Sequence, residues 1–265
     1  MYKLLKVNST QTKQRITPDD CRWNLKDAIK VFLAYVILMF VGMPVIARLI
    51  HTIVGSSILG ASVQRSVVLF VTLFINLTIC LYVFYIVRLE YRQSITTLGL
   101  SIVNLSDNIK QGIKRYLITL PFIVLAGFII NLISSYYGIA PEMQDVIRWL
   151  LEEKSIFVIV SLVFFGIIIA PVMEEIIFRG FIQSALKNSF GRQYAIIISA
   201  SLFAAVHMDI FAFLQIFILG ILLGNLYERT RTLTASIVVH ILHNSLTMVF
   251  LLYFKFFLKG KIPVF

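Results

Sequence analysis

A set of residues in the second half of the chain has side chains suited to chemistry: Glu174, Glu175, Arg179, His207, His240, His243 and Asn244. Each lies within or at the end of an apolar run or amphipathic stretch. An ionised side chain at the centre of a bilayer costs at least about 2.5–3.5 kcal/mol, so such residues need partners or a function. Adjacent residues on a helix point about 100° apart, which sends Glu174 and Glu175 in different directions. Arg179 follows Glu175 by four residues and shares its face, as an ion pair requires. That pair reads as a brace for the fold, leaving Glu174 free. His240 and Asn244 also share a face, whereas His243 is offset by about 60° and reads as a structural histidine. His207 ends a separate helix, four residues after Phe203. If these helices fold together, Glu174, His207, His240 and Asn244 converge on one polar pocket.

Such a pocket suits cleavage of a bond by water. A buried Glu can act as general base, one imidazole can orient the water, and a second imidazole with an amide can donate to a developing oxyanion. The same groups, Glu174, His207 and His240, could instead hold a divalent metal such as Zn, with an open position for water. The residues alone also allow a proton or ion path.

The elements that must position these groups follow from composition. The 265 residues are 59% hydrophobic and 14% charged, with a mean hydropathy of +0.90. A soluble domain is nearer 45–50% apolar and about 25% charged, so a soluble enzyme, a disordered tail and a coiled coil are excluded. Seven apolar stretches stand out: roughly 28–47, 66–87, 116–137, 155–170, 193–206, 210–227 and 235–254. Several reach the ~20 residues that span a bilayer core, where unpaired backbone forces helix. The 193–206 run is shorter, carries Ser199 and Ser201, and is expected inside the bundle. Pro171 suits the first turn of an eighth, amphipathic helix and would break or kink a continuous one. The expectation is an all-α, polytopic transmembrane bundle of about eight helices. Residues 1–27 form an arm, 28–265 a single domain, and about 171–247 the catalytic core.

The net charge of +11 lies mostly in short hydrophilic connections, which suits membrane orientation and anionic lipid rather than nucleic acid. Residues 1–27 carry Lys3, Lys6, Lys13, Arg15, Arg22 and Lys26, and residues 88–115 carry Arg88, Arg92, Lys110, Lys114 and Arg115. Both are therefore expected on the cytoplasmic side. The tail with Lys255, Lys259 and Lys261 falls outside if seven helices cross, and inside if the Pro171 helix adds a crossing. No cleavable signal peptide is expected, and Cys21 and Cys80 suggest neither a disulfide framework nor a metal site. Gly220 and Gly224 form a GxxxG read as packing within the chain, and the loop around 141–153 is expected on the outer surface.

In order along the chain, Glu174-Glu175-Ile176-Ile177-Phe178-Arg179 fits EExxxR, Phe203-Ala204-Ala205-Val206-His207 fits FxxxH, and His240-Ile241-Leu242-His243-Asn244 fits HxxxN. This series resembles the CPBP family, the CAAX-protease and bacteriocin-processing (Abi) intramembrane proteases. The resemblance covers about residues 171–247. It implies a peptidase acting on a membrane-associated protein or peptide, of CAAX type or processing a bacteriocin or signal peptide. It implies further that Glu174 activates water held with His207, that His240 and Asn244 stabilise the oxyanion, and that Glu175, Arg179 and Phe203 support the site. The metal-free glutamate mechanism is favoured, with no cofactor required. GxSG, GxGD and HExxH are all missing, which leaves rhomboid-like, presenilin-like and site-2-like enzymes as poorer matches. A bacterial cell-membrane location is expected. A proton-coupled transporter and a non-catalytic immunity or partner protein are the rivals, and the oligomeric state is left open.

Overall fold

The computed structural model describes residues 21–54, 60–139 and 144–258, and among them all regular structure is helical. The helices are α1 (Leu25–Ile50), α2 (Ala61–Glu90), α3 (Leu105–Tyr136), α4 (Asp145–Glu152), α5 (Ile156–Phe190), α6 (Arg192–Ala205), α7 (Phe213–Thr230) and α8 (Thr234–Phe257). Five of them, α1, α2, α3, α5 and α8, are long and apolar enough to cross a membrane. The all-α polytopic bundle is as expected. Lys3, Lys6, Lys13, Arg15, Pro141, Lys259 and Lys261 lie outside the described residues. Cys21, Trp23 and Asp27 are buried. Asn24 caps α1, accepting from the Lys26 N–H while Asp27 accepts from the Asn24 N–H.

Helix α5 occupies the middle of the bundle and touches α1, α2, α6, α7 and α8. Its inner surface carries the largest apolar cluster, where Phe178, Phe181 and Ile177 meet Trp23, Tyr35 and Phe203. The Trp23 ring stacks on Phe181 at 5.3 Å, and its N–H donates to the Phe181 carbonyl. Outward faces are the reverse of a soluble protein's. Phe74 on α2, Phe128 on α3 and Phe157 on α5 are each more than 60% exposed, which suits acyl chains rather than water.

Pro171 does not begin a new helix. The chain runs as helix from Ile156 to Phe190, and the eighth helix is instead the short α4 in the 141–153 segment. The reason lies just before the proline. Residues Phe165–Ile169 form a π-helical stretch, in which the wider turn relieves the clash between the proline ring and the carbonyl four residues back. The Ala170 N–H then bonds the Phe165 carbonyl, and Pro171 has no N–H to offer the Gly166 carbonyl. An outside donor fills that gap: the Asn244 amide, at 2.8 Å. With α5 unbroken, residues 156–190 count as one of the five candidate spans among the described residues.

The two ends of the bundle differ chemically. At one end Arg22 meets Gln93, Asn188 reaches the Cys21 carbonyl, and the Leu233 N–H bonds Gly99. Here Glu228 collects Lys187 at 2.9 Å and Arg231 at 3.3 Å. At the other end Glu153 is 1% exposed, accepting from the Ser62 hydroxyl and from the Lys154 and Ser155 N–H groups through one oxygen and from Arg65 through the other. Lys255 of α8 donates to the Leu151 carbonyl beside it. Burial pushes the Glu153 carboxyl up, but the Ser155 N–H, Ser62, the Lys154 N–H and Arg65 outweigh it and hold it at about 2, below its ordinary 4.5. A lowered folded-state value means that this tie stabilises the fold above pH 4.5 and is lost as the pH falls toward 2. Thermal unfolding in detergent should show Glu153→Gln less stable than wild type by about 1–3 kcal/mol at neutral pH, with the gap closing over that acid window. Equal midpoints at neutral pH would show that the tie contributes nothing.

Candidate active site

Six of the seven candidate residues come from α5 and α8, and His207 lies in the turn that follows α6. Glu175 is 0% exposed, and its Oε1 accepts from Arg179 Nη1 at 2.9 Å, one turn further along α5. The Arg179 side chain is buried as well, and its second nitrogen lies 3.4 Å from the Gly220 carbonyl of α7. Close approach of α7 permits that contact. A Cβ at Gly220 would lie 3.0 Å from the Ala200 Cβ of α6, and one at Gly224 would lie 2.6 Å from Gln183 Oε1 of α5. The GxxxG is therefore used within the chain, as expected.

His240 stands between the two glutamates. Its Nδ1 is 3.1 Å from Glu175 Oε1 and its Nε2 is 3.6 Å from Glu174 Oε2. An ionised carboxylate only accepts, so in the contact with Glu175 the Nδ1 atom carries the hydrogen. His243, in contrast, turns toward α3, where its Nδ1 lies 3.0 Å from the Tyr116 hydroxyl. The 60° offset thus separates the two imidazoles, and His240 is the one at the glutamates.

Phe203 organises the same region. The Arg179 guanidinium carbon sits 4.2 Å from its ring centroid, a cation–π contact. The rings of His207 and His240 meet it edge-on at 4.9 and 5.6 Å. The His207 Nδ1 lies 2.8 Å from the Phe203 carbonyl, and a carbonyl only accepts. Nδ1 therefore holds the hydrogen, leaving the neutral ring's Nε2 as an acceptor.

Glu174, His207 and Asn244 line one cavity of about 300 Å³, bounded also by Asn76, Gly166 and Met248. His207 stands at the boundary with a second space of about 530 Å³, lined by Gln144, Arg148 and Asp209. His240 is 2% exposed and lies behind Glu174 rather than in the cavity wall. Among the described residues no three of His, Cys, Asp and Glu are grouped to hold a metal ion, so Glu174, His207 and His240 do not form a ligand triad.

Two features escaped the motif reading. Asn76 of α2 is buried against the cavity, with its Nδ2 donating to the Thr72 carbonyl and its Oδ1 without a hydrogen-bond partner. An amide in the middle of an apolar run was the signal available for it. At the cavity mouth Gln144 donates to Asp209 at 2.6 Å, while the other Asp209 oxygen accepts from the Phe211 and Ala212 N–H groups and shapes the α6–α7 turn. No local pattern announced that long-range contact.

A polytopic helical membrane protein with a carboxylate–imidazole cavity inside its bundle is the class defined by these observations. Residues 155–246 match the family described as Type II CAAX prenyl endopeptidase Rce1-like. The chain is also similar to the "Putative membrane peptidase YdiL" of Bacillus subtilis (strain 168), with 31% identity over 136 residues, 47% of this chain and 54% of that protein. It is similar to the "Membrane-embedded CAAX protease MroQ" of Staphylococcus aureus (strain USA300), with 34% identity over 95 residues, 33% of this chain and 38% of that protein. The matches span about half or less of the length of these curated relatives. No solved structure gives a significant match. The matched 155–246 stretch carries all three motifs.

The Glu175–Arg179 pair yields a stability prediction. Arg179→Met strands a carboxylate in the apolar interior and should cost about 3–5 kcal/mol, with the double variant Glu175→Gln, Arg179→Met recovering part of it. Thermal unfolding followed by Trp23 fluorescence checks this. A single variant as stable as wild type would show that Glu175 finds another partner.

Proposed function

We propose that this chain is an intramembrane endopeptidase that hydrolyses a peptide bond in a membrane-associated protein or peptide through water activated by Glu174. The observation that carries the reading is the shared cavity, in which Glu174 and His207 face one space while a buried imidazole backs the Glu174 carboxylate. Glu174 and the His207 Nε2 lone pair are two acceptors for the two hydrogens of one water. Glu174 takes a proton from it, the water oxygen attacks the peptide carbonyl carbon, and the carbonyl oxygen becomes an oxyanion. Asn244 has one amide hydrogen committed to Gly166 and a second available to that oxyanion. The C–N bond then breaks, and the proton on Glu174 passes to the departing nitrogen. His240, fixed through Nδ1 by the Glu175–Arg179 pair, orients Glu174 and presents Nε2 to the same proton.

The residues do not fit a metal-ligand triad, and each step above is carried by side chains alone. Names of relatives supply the substrate class: a CAAX protease among them suggests membrane-anchored peptides as substrates here too. The positive charge at the Trp23 end supports placing that end in the cytoplasm of a bacterial cell.

Membranes holding wild type, Glu174→Gln or His207→Ala, given a library of membrane-anchored peptides and read by mass spectrometry, test the assignment. Cleavage should fall by roughly 10²–10⁴-fold in Glu174→Gln, as expected for loss of a general base, and a chelator should leave wild-type cleavage unchanged. Undiminished cleavage by a folded Glu174→Gln protein would end the assignment. Chelator-sensitive cleavage would replace the metal-free mechanism by one in which an ion recruits these residues.

A further inference from the structure

Another cavity, of about 370 Å³, lies between α3 and α7, away from the candidate active site. The polar N-terminal turns of α3, with Asp107, Lys110 and Lys114, give way at Arg115 to its apolar length. Helix α7 runs the other way and carries Arg229 in its last turn. Both arginines therefore fall at the same end of the bundle, where Asn108 of α3 also bonds Thr232 in the α7–α8 turn at 3.2 Å. Arg115 and Arg229 line the polar rim of the cavity with Thr119 and Asn225, and Ile118, Ile218 and Ile221 line its apolar part.

Neither guanidinium has an acidic partner among the described residues. Glu228, next to Arg229, turns inward to Lys187, Arg231 and Gln183. One amide hydrogen of Asn225 is held by the Ile221 carbonyl, leaving the other free. Two unpaired arginines at the polar edge of two apolar helices, above an apolar groove, match an amphiphile with a negative head and a hydrocarbon tail.

We propose that this groove binds one anionic phospholipid, its phosphate held by Arg115 and Arg229 and its acyl chain lying along Ile118, Ile218 and Ile221. Guanidinium groups bond phosphate oxygens through paired N–H donors, which a zwitterionic headgroup partly satisfies internally. A free phosphate would use the rim and leave the apolar floor uncovered. Leu117 and Ile118, on the flank of the groove, are each at least 60% exposed, so the site opens sideways to the bilayer.

The test is native mass spectrometry of the full chain in detergent, titrated in parallel with phosphatidylglycerol, phosphatidylcholine of the same chains, and inorganic phosphate. Wild type should retain phosphatidylglycerol selectively, and Arg115→Gln, Arg229→Gln should weaken that retention roughly thirtyfold. The Arg115→Lys, Arg229→Lys variant should keep most of it, and Ile221→Trp should lose it with both arginines intact. The control Arg92→Gln, Lys114→Gln should behave as wild type. Equal retention of the two lipids, or undiminished retention by the folded double glutamine variant, would overturn the proposal. Inorganic phosphate binding that the double glutamine variant abolishes, with lipid retention unchanged, would overturn it in favour of a soluble-anion site.

Discussion

An ion pair closed off from solvent, Glu175 with Arg179, is the constraint on which the other contacts around the site depend. A lone charge at that position would cost several kcal/mol, and the pair is tolerable only if its remaining polar atoms are also met. The surroundings meet most of them from three directions, while Glu175 Oε2 has no hydrogen-bond partner. Gly220 offers a carbonyl to the guanidinium, Phe203 offers its ring face, and His240 reaches the carboxylate. Each of these comes from a different helix, so meeting the needs of one pair fixes α6, α7 and α8 against α5. The small residues follow from the same demand. Only without side chains at Gly220 and Gly224 can α7 approach α5 and α6 closely enough.

A backbone irregularity sets the other half of the site. The π-helical stretch Phe165–Ile169 lets α5 pass through Pro171 without ending, at the expense of a carbonyl that the helix itself cannot satisfy. Asn244 closes that gap from α8. The polar cluster is thereby held at two heights on α5, by Glu175 with His240 and by Gly166 with Asn244, and these two contacts fall four residues apart on α8. The HxxxN spacing is one turn of helix, and its two side chains reach a brace and a loose carbonyl that lie nine residues apart on α5.

What was legible in the sequence were features with a local period. Four-residue spacing gave the Glu175–Arg179 pair and the shared face of His240 and Asn244, and apolar runs gave the spans. The Phe203 to His207 spacing likewise predicted two groups on one face, and they meet through the Phe203 carbonyl and ring. Features set by the third dimension were not legible. Pro171 read as a helix start because local rules assume α-helical turns, and a π turn several residues earlier changes the answer. Segment 141–153 read as a surface loop because α4 is too short for periodicity to establish, and its docking depends on Glu153 meeting Ser62 and Arg65 of α2. Asn76 went unremarked because a single amide in an apolar run has no meaning until its neighbours are known.

Two glutamates of the same chemistry, one residue apart, end in opposite circumstances. Glu175 is fully enclosed and spends one oxygen on both Arg179 and His240, whereas the Glu174 side chain is 16% exposed and borders a cavity. The 100° between neighbouring residues produces this division, since one direction leads into the apolar cluster and the next into open space. His240 joins the two, with one ring nitrogen on each. Its ring is rigid, so the nitrogen on Glu175 and the nitrogen 3.6 Å from Glu174 keep a fixed separation. On the proposed mechanism the brace therefore does more than hold the fold: it sets where the base stands relative to the water. The adjacency of the two acids is what allows one histidine to make that link.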